Sequence, residues 1–171
     1  MKTKIAKLFR RNGVGQEPNG SFTPGAAAPD FTLLASNGET ITLSQFQGRP
    51  VVLVFYPADD TPVCSDQLAL YNEAKHIFDE YEAQLLAISV DDIESHKKFA
   101  ESLKLKFPLL ADDNPAGEVA GRFGVFDHTD GKSDRALFVV NPEGDIHWRE
   151  VSPRPVNPGA HGILSALDSL K

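Results

Sequence analysis

One cysteine, one methionine and one tryptophan in 171 residues leave the chain poor in the residues that staple small folds or bind soft metals. A single thiol allows no disulfide within the chain and no Cys-rich zinc site, so a secreted disulfide scaffold is excluded. No run approaches the roughly 20 apolar residues that span a bilayer, and no membrane partner is expected. Basic charge is also scarce. The 17 Lys and Arg stand against 24 Asp and Glu, a net charge of -7, which argues against a surface that binds nucleic-acid phosphates.

What basic charge there is crowds the start. Residues 1–20 hold five basic residues (Lys2, Lys4, Lys7, Arg10, Arg11) and one acid, Glu17, leaving 12 basic and 23 acidic residues for the rest of the chain. A secretory signal would follow its positive charges with an unbroken apolar stretch. Here Lys7 and Arg10 interrupt Ile5, Ala6, Leu8 and Phe9. An Arg-rich organelle transit segment would be short for its class, and a solvated tail is the favoured reading. Gly13, Gly15, Pro18, Asn19 and Gly20 then read as a flexible linker. The expected organisation is a basic extension over 1–21 and one folded domain over 22–171, with a cytoplasmic location.

The remaining pattern alternates strands and helices. Asn37-Gly38 between Phe31–Leu34 and Thr40–Leu43 predicts a β-hairpin. Val51–Tyr56 and Leu85–Val90 are continuous apolar runs, as buried strands require. Between them Tyr71, Ala74, Phe78 and Tyr81 recur at helical spacing, which predicts a right-handed βαβ crossover. A second helix is expected over about 92–104, and a short one around Ala116, Val119, Ala120 and Phe123. Ala136–Val140 and Ile146–Val151 around Asn141–Gly144 predict a second hairpin, and Ile163, Leu164, Leu167 and Leu170 a final helix. Thr61-Pro62, Asn114-Pro115 and Asn157-Pro158 each place a good cap before Pro, so all three are expected to start helices. The fold class is α/β: a thioredoxin-like fold with an N-terminal β-hairpin and a mixed central sheet flanked by helices.

Cys64 stands out by its address. It falls in the first turn of the helix that follows a buried strand, three residues after the expected cap Thr61. Unpaired backbone N–H groups and the helix dipole favour an anion there, and the thiolate is the reactive form of cysteine. The alternative is an inert buried thiol, the common fate of a lone cysteine. Arg135 opens a predicted core strand, where a charge needs a partner or a task. Asp134 and Glu150 are the ordinary partners in reach by sequence.

Pro57-Ala-Asp-Asp-Thr61-Pro-Val-Cys64 resembles the P-x-x-x-T-x-x-C pattern of the peroxiredoxins. Phe55-Tyr56-Pro57, Gln67-Leu-Ala-Leu70, Phe107-Pro-Leu-Leu-Ala-Asp112 and Arg135-Ala-Leu-Phe-Val-Val140 are similar to the same family, in the same order. The resemblance implies a thiol-dependent peroxidase acting on hydrogen peroxide and organic hydroperoxides. It assigns Cys64 as nucleophile, Thr61 as the hydroxyl that orients the peroxide and Arg135 as the charge that stabilises thiolate and departing oxygen. Pro57, Val63 and Gln67 are expected to line the substrate pocket. No cofactor and no metal are expected. Position 69 is Ala, so the nearby second cysteine of some members is absent, and an external thiol (thioredoxin, glutaredoxin or a small thiol) must complete the cycle. Many members form dimers; a homodimer is left open, with no interface visible in the sequence. Asp60 is acidic where members often carry an aromatic residue, and Asp59 and Asp60 are expected to face solvent.

Other sequence signals carry less weight. Asp59-Asp60, Asp91-Asp92 and Asp112-Asp113 follow apolar segments but suit turns and caps better than a cation. Gly131-Lys132-Ser133 lacks the glycine at position 126 and the following helix that a P-loop needs. Two competing functions remain on this fold. A dithiol–disulfide oxidoreductase lacks its second thiol at Thr61-Pro-Val-Cys64, and a redox sensor would oxidise without turning over.

Overall fold

The computed structural model describes residues 23–171, so the expected 1–21 extension and the first residue of the expected domain lie outside the described residues. A seven-stranded mixed sheet forms the centre, in the order β2-β1-β5-β4-β3-β8-β9. Its strands are β1 Thr32–Ala35, β2 Thr40–Thr42, β3 Val51–Phe55, β4 Gln84–Ser89, β5 Leu109–Ala111, β8 Arg135–Val140 and β9 Ile146–Ser152. A separate two-stranded ribbon pairs β6 Phe126–Asp127 with β7 Lys132–Ser133, a piece the hydropathy pattern did not announce. The helices are α1 Pro62–Glu73, α2 Lys75–Glu80, α3 Ile93–Leu103, α4 Glu118–Arg122 and α5 His161–Asp168. This is the thioredoxin-like α/β arrangement expected, with parallel β3–β4–β5 pairing and antiparallel β3–β8 and β8–β9 pairing.

Period-two alternation divides the central strands between two cores. Val51, Leu53 and Phe55 of β3 pack on one face with Phe31, Leu86, Ile88, Phe123 and Phe138. Val52, Val54 and Tyr56 pack on the other with Leu68, Tyr71, Phe78, Phe99, Leu137, Val139 and Ile163. Each fully buried side chain of this kind contributes about 1.5–3 kcal/mol relative to exposure. The second face is the one that α1, α3 and α5 cover, and Cys64 belongs to it.

Three local expectations need correction. The stripe Tyr71, Ala74, Phe78, Tyr81 belongs to two helices, because the chain breaks at Ala74 between α1 and α2. Asn114-Pro115 does not begin a helix. The segment starts only after Gly117 (φ 79°), and the Asp112 carboxylate supplies the cap by accepting from the Val119 and Ala120 amides at 3.0 and 2.9 Å. Asn157-Pro158 does not begin one either: Ala160 precedes α5, and Asn157 instead accepts from the Gly159 amide at 2.9 Å. An Asn or Asp side chain satisfies a turn as readily as a helix end, so the dipeptide alone does not separate the two.

Candidate active site

The topology brings together two segments 71 residues apart. β3 runs into the loop 57–61 and then into α1, so the start of α1 lies beyond the C-terminal end of β3. β8 is antiparallel to β3, with Phe55 opposite Ala136, so the first residue of β8 lies at that same end. Alternation along β8 puts Leu137 and Val139 in the helix-covered core, and Arg135 shares their side of the sheet. Its guanidinium therefore reaches the Cys64 thiol.

Thr61 is the N-cap of α1 in extended conformation (φ -105°, ψ 151°), Pro62 is the first helical residue and Cys64 the third. Pro fits there because its missing N–H would have no intrahelical partner. The amides of this first turn are unclaimed by the helix and favour negative charge on the sulfur. The Thr61 hydroxyl makes no cap bond to them; it donates to the Ala58 carbonyl at 3.1 Å.

Cys64 is 1% exposed. Arg135 Nη1 and Nη2 each lie 3.4 Å from its Sγ, so the guanidinium fork straddles the sulfur. Arg135 is itself 2% exposed. Its Nη1 also donates to Gln67 Oε1 at 2.7 Å and its Nε to the Arg154 carbonyl at 2.9 Å. Among the described residues these partners are a thiol, an amide and a carbonyl, and none is a carboxylate. Asp134 engages Arg154 instead, at 3.7 Å. A buried guanidinium without a carboxylate is poorly neutralised, which suits it to an anion at the sulfur.

Gln67 is fully buried one turn beyond Cys64. Its Nε2 donates to the Tyr71 hydroxyl at 3.1 Å, and that hydroxyl donates to the Gly159 carbonyl at 2.8 Å. Burial raises the Tyr71 phenol to about 12, with the Gln67 donor and the Arg135 charge opposing it, so it stays a donor. Both ends of the Gln67 amide are thus held within the protein. Pro57 is buried just after β3, and Val63 is half-buried beside Cys64. The Arg154 guanidinium meets Asp127, Asp130 and Asp134, which fixes the segment whose carbonyl holds Arg135. The hydrogen bond from Arg154 holds Asp130 below the usual carboxylate range, whereas burial moves Asp134 upward.

The expectation for Asp59 is overturned. Its side chain is 3% exposed and lies against His96, with Nδ1 and Oδ2 2.8 Å apart. It accepts from the Tyr56 hydroxyl at 2.6 Å and the Ser95 hydroxyl at 2.8 Å. The inward turn is favourable because two hydroxyl donors and the His96 ring converge on it. Asp60 is exposed, at φ 56°. The histidines show no metal-ligand spacing and the sequence gives His96 no role, although its spacing of three from Phe99 puts it on the buried stripe of α3.

Residues 24–149 match the AhpC/TSA family. The chain is 45% identical over 134 residues to the chloroplastic peroxiredoxin Q of Oryza sativa subsp. japonica, covering 75% of this chain and 59% of that protein. It is 44% identical over 177 residues to the chloroplastic peroxiredoxin Q of Sedum lineare, covering 100% of this chain and 93% of that one. Among solved structures, AhpC of Enterococcus faecalis superposes with a TM-score of 0.78 at 31% identity, covering 84% of this chain and 89% of its own. The peroxidoxin BcpB of Mycobacterium tuberculosis does so with a TM-score of 0.76 at 30% identity, over 85% and 96%. The chloroplast location of the plant relatives overturns the cytoplasmic expectation. Location is written in address segments that receptors read, so charge and composition of the folded part carried no information on it.

Proposed function

Because the chain belongs to the AhpC/TSA family, we propose that it is a thiol-dependent peroxidase using Cys64 as its single nucleophile and an external thiol as reductant. The observation that carries the reading is the Arg135 fork, 3.4 Å from Sγ through both terminal nitrogens at a helix start. Such a pair suits nucleophilic attack on a polarised O–O bond, where negative charge passes from sulfur to the departing oxygen.

In this reading the Cys64 thiolate attacks one peroxide oxygen. The S–O bond forms as the O–O bond breaks. Sulfur loses two electrons and becomes sulfenic acid, and the peroxide becomes an alkoxide or hydroxide. The proton given up when the thiol ionised balances that anion, yielding alcohol or water. Arg135 shares its N–H groups between the sulfur and the leaving oxygen. The Thr61 hydroxyl turns from Ala58 to the peroxide, aided by the first-turn amides of α1. Pro57 and Val63 wall the thiolate from water, and Gln67 holds Arg135 in register. An external thiol then condenses with the sulfenic acid, releasing water and leaving a mixed disulfide. A second thiol clears it. The plastid location of the plant relatives replaces the cytoplasm as our reading of where the chain works.

Hydrogen peroxide consumption with dithiothreitol as reductant tests the proposal. Many turnovers per Cys64 are expected. Oxidation by a single equivalent and no more would mark a redox sensor on the same fold, and no oxidation would remove both readings.

A further inference from the structure

The loop 57–61 aims Thr61 and the first turn of α1, and a buried polar cluster holds it from the side away from Arg135. Asp59 faces His96 Nδ1 at 2.8 Å, while His96 Nε2 lies 3.0 Å from the Leu110 carbonyl of β5. A carbonyl only accepts, so Nε2 carries a proton and donates to it. Nδ1 then meets Asp59 either as an N–H facing a carboxylate or as a bare nitrogen facing a carboxylic acid. Both arrangements keep one proton between the two groups and a total charge of zero. A carboxylate facing a bare nitrogen would be repulsive and unneutralised. This shared proton explains how His96 at 0% and Asp59 at 3% side-chain exposure sit together in the core.

The same cluster ties three elements to the loop. Ser95 and His96 belong to α3, and the Asp92 cap that accepts from the Ser95 amide at 2.9 Å fixes their turn. Tyr56 ends the β3 run, and burial keeps its phenol well above the ordinary value, so it remains a donor to Asp59. The Asp59 amide donates to Asp91 at 2.8 Å, which Ser89 at the end of β4 also reaches at 2.5 Å. The described hydrogen bonds of Asp59 and His96 run to the loop and its supports, whereas the sulfur is contacted by Arg135.

We propose that Asp59 and His96 are positioning residues for the Cys64 reaction: their one-proton pair locks loop 57–61 to α3 and β5 and so sets Thr61 and Cys64 against Arg135. This deepens the peroxidase reading and rests on it. Placement matters because a misplacement of about 1 Å at a reacting centre costs on the order of a hundredfold in rate.

The test uses the full chain as His96→Ala, Asp59→Ala and Asp59→Asn. An Asn amide can donate to a bare Nδ1, so Asp59→Asn keeps the link without charge. Both Ala variants are expected to slow the peroxide reaction of Cys64 at least about tenfold, with Asp59→Asn within about threefold of wild type. Alkylation by iodoacetamide, which needs no held peroxide, is expected not to fall in any of the three. Amide exchange across residues 59–65, read without any peroxide, is expected to rise at least about tenfold in the Ala variants only. Unchanged exchange in the Ala variants, Asp59→Asn behaving as Asp59→Ala, or peroxide and iodoacetamide rates falling together would each overturn the proposal. A wild-type chain that turns over no peroxide, with the Ala variants still showing raised exchange, would refute the peroxidase reading while leaving the loop lock standing.

Discussion

Arg135→Ala is the most informative single change. It removes both N–H groups that lie 3.4 Å from Cys64 Sγ. It also strips a donor from Gln67 Oε1 and from the Arg154 carbonyl. The loss of one donor aimed at a developing oxyanion in a water-excluded site sets the scale, about 2–4 kcal/mol of transition-state stabilisation. That corresponds to a fall of about 30- to 900-fold in the second-order rate constant for peroxide. The stability cost has a different source: a buried amide oxygen left unpaired costs about 1–3 kcal/mol. Removal of a poorly neutralised buried charge offsets part of it, so the domain is expected to remain folded. Arg135→Lys keeps the charge but not the planar fork, and its rate is expected to fall between the two. Rate constants from stopped-flow peroxide competition, paired with thermal melts, separate activity from folding. A folded Arg135→Ala variant within about threefold of the wild-type rate would refute the assignment of Arg135 to the site.

Cys64→Ser is expected to abolish turnover, Thr61→Val to slow it and Thr61→Ser to be mild because the hydroxyl survives; steady-state peroxide assays check all three, and a fully active Thr61→Val would remove the hydroxyl from the mechanism. One equivalent of peroxide is expected to leave Cys64 as a sulfenic acid that a dimedone-type probe captures, with excess peroxide driving it to sulfinic acid. At 1% exposure Cys64 should form little Cys64–Cys64 disulfide between chains, and a rapid, near-complete disulfide dimer on non-reducing gels would contradict a closed pocket. Burial raises the Asp112 carboxyl above its ordinary value, against the amides it caps. Between the unfolded and the raised folded value the folded state binds more protons, so its stability falls as pH rises through that window. The stability of wild type relative to Asp112→Asn is therefore expected to fall over the window, and denaturant melts showing a rise would reverse the sign of that reading.

Much of this protein was determined by its sequence taken alone. The buried strands followed from uninterrupted apolar runs, and the helix expected over about 92–104, observed at Ile93–Leu103, from the spacing of its apolar residues, because these are local consequences of burial. Cys64 could be placed at the third helical position from Thr61-Pro62 alone, since Pro tolerates few other sites in a helix. Tertiary structure decided which charges meet. Whether Arg135 would pair with Asp134, Glu150 or the thiol depended on antiparallel pairing with β3, a contact 71 residues distant that no local pattern encodes. Asp59 turned inward for the same reason: its neutralising partner, His96, lies on another helix, and a buried carboxylate is tolerable only once that partner is in place.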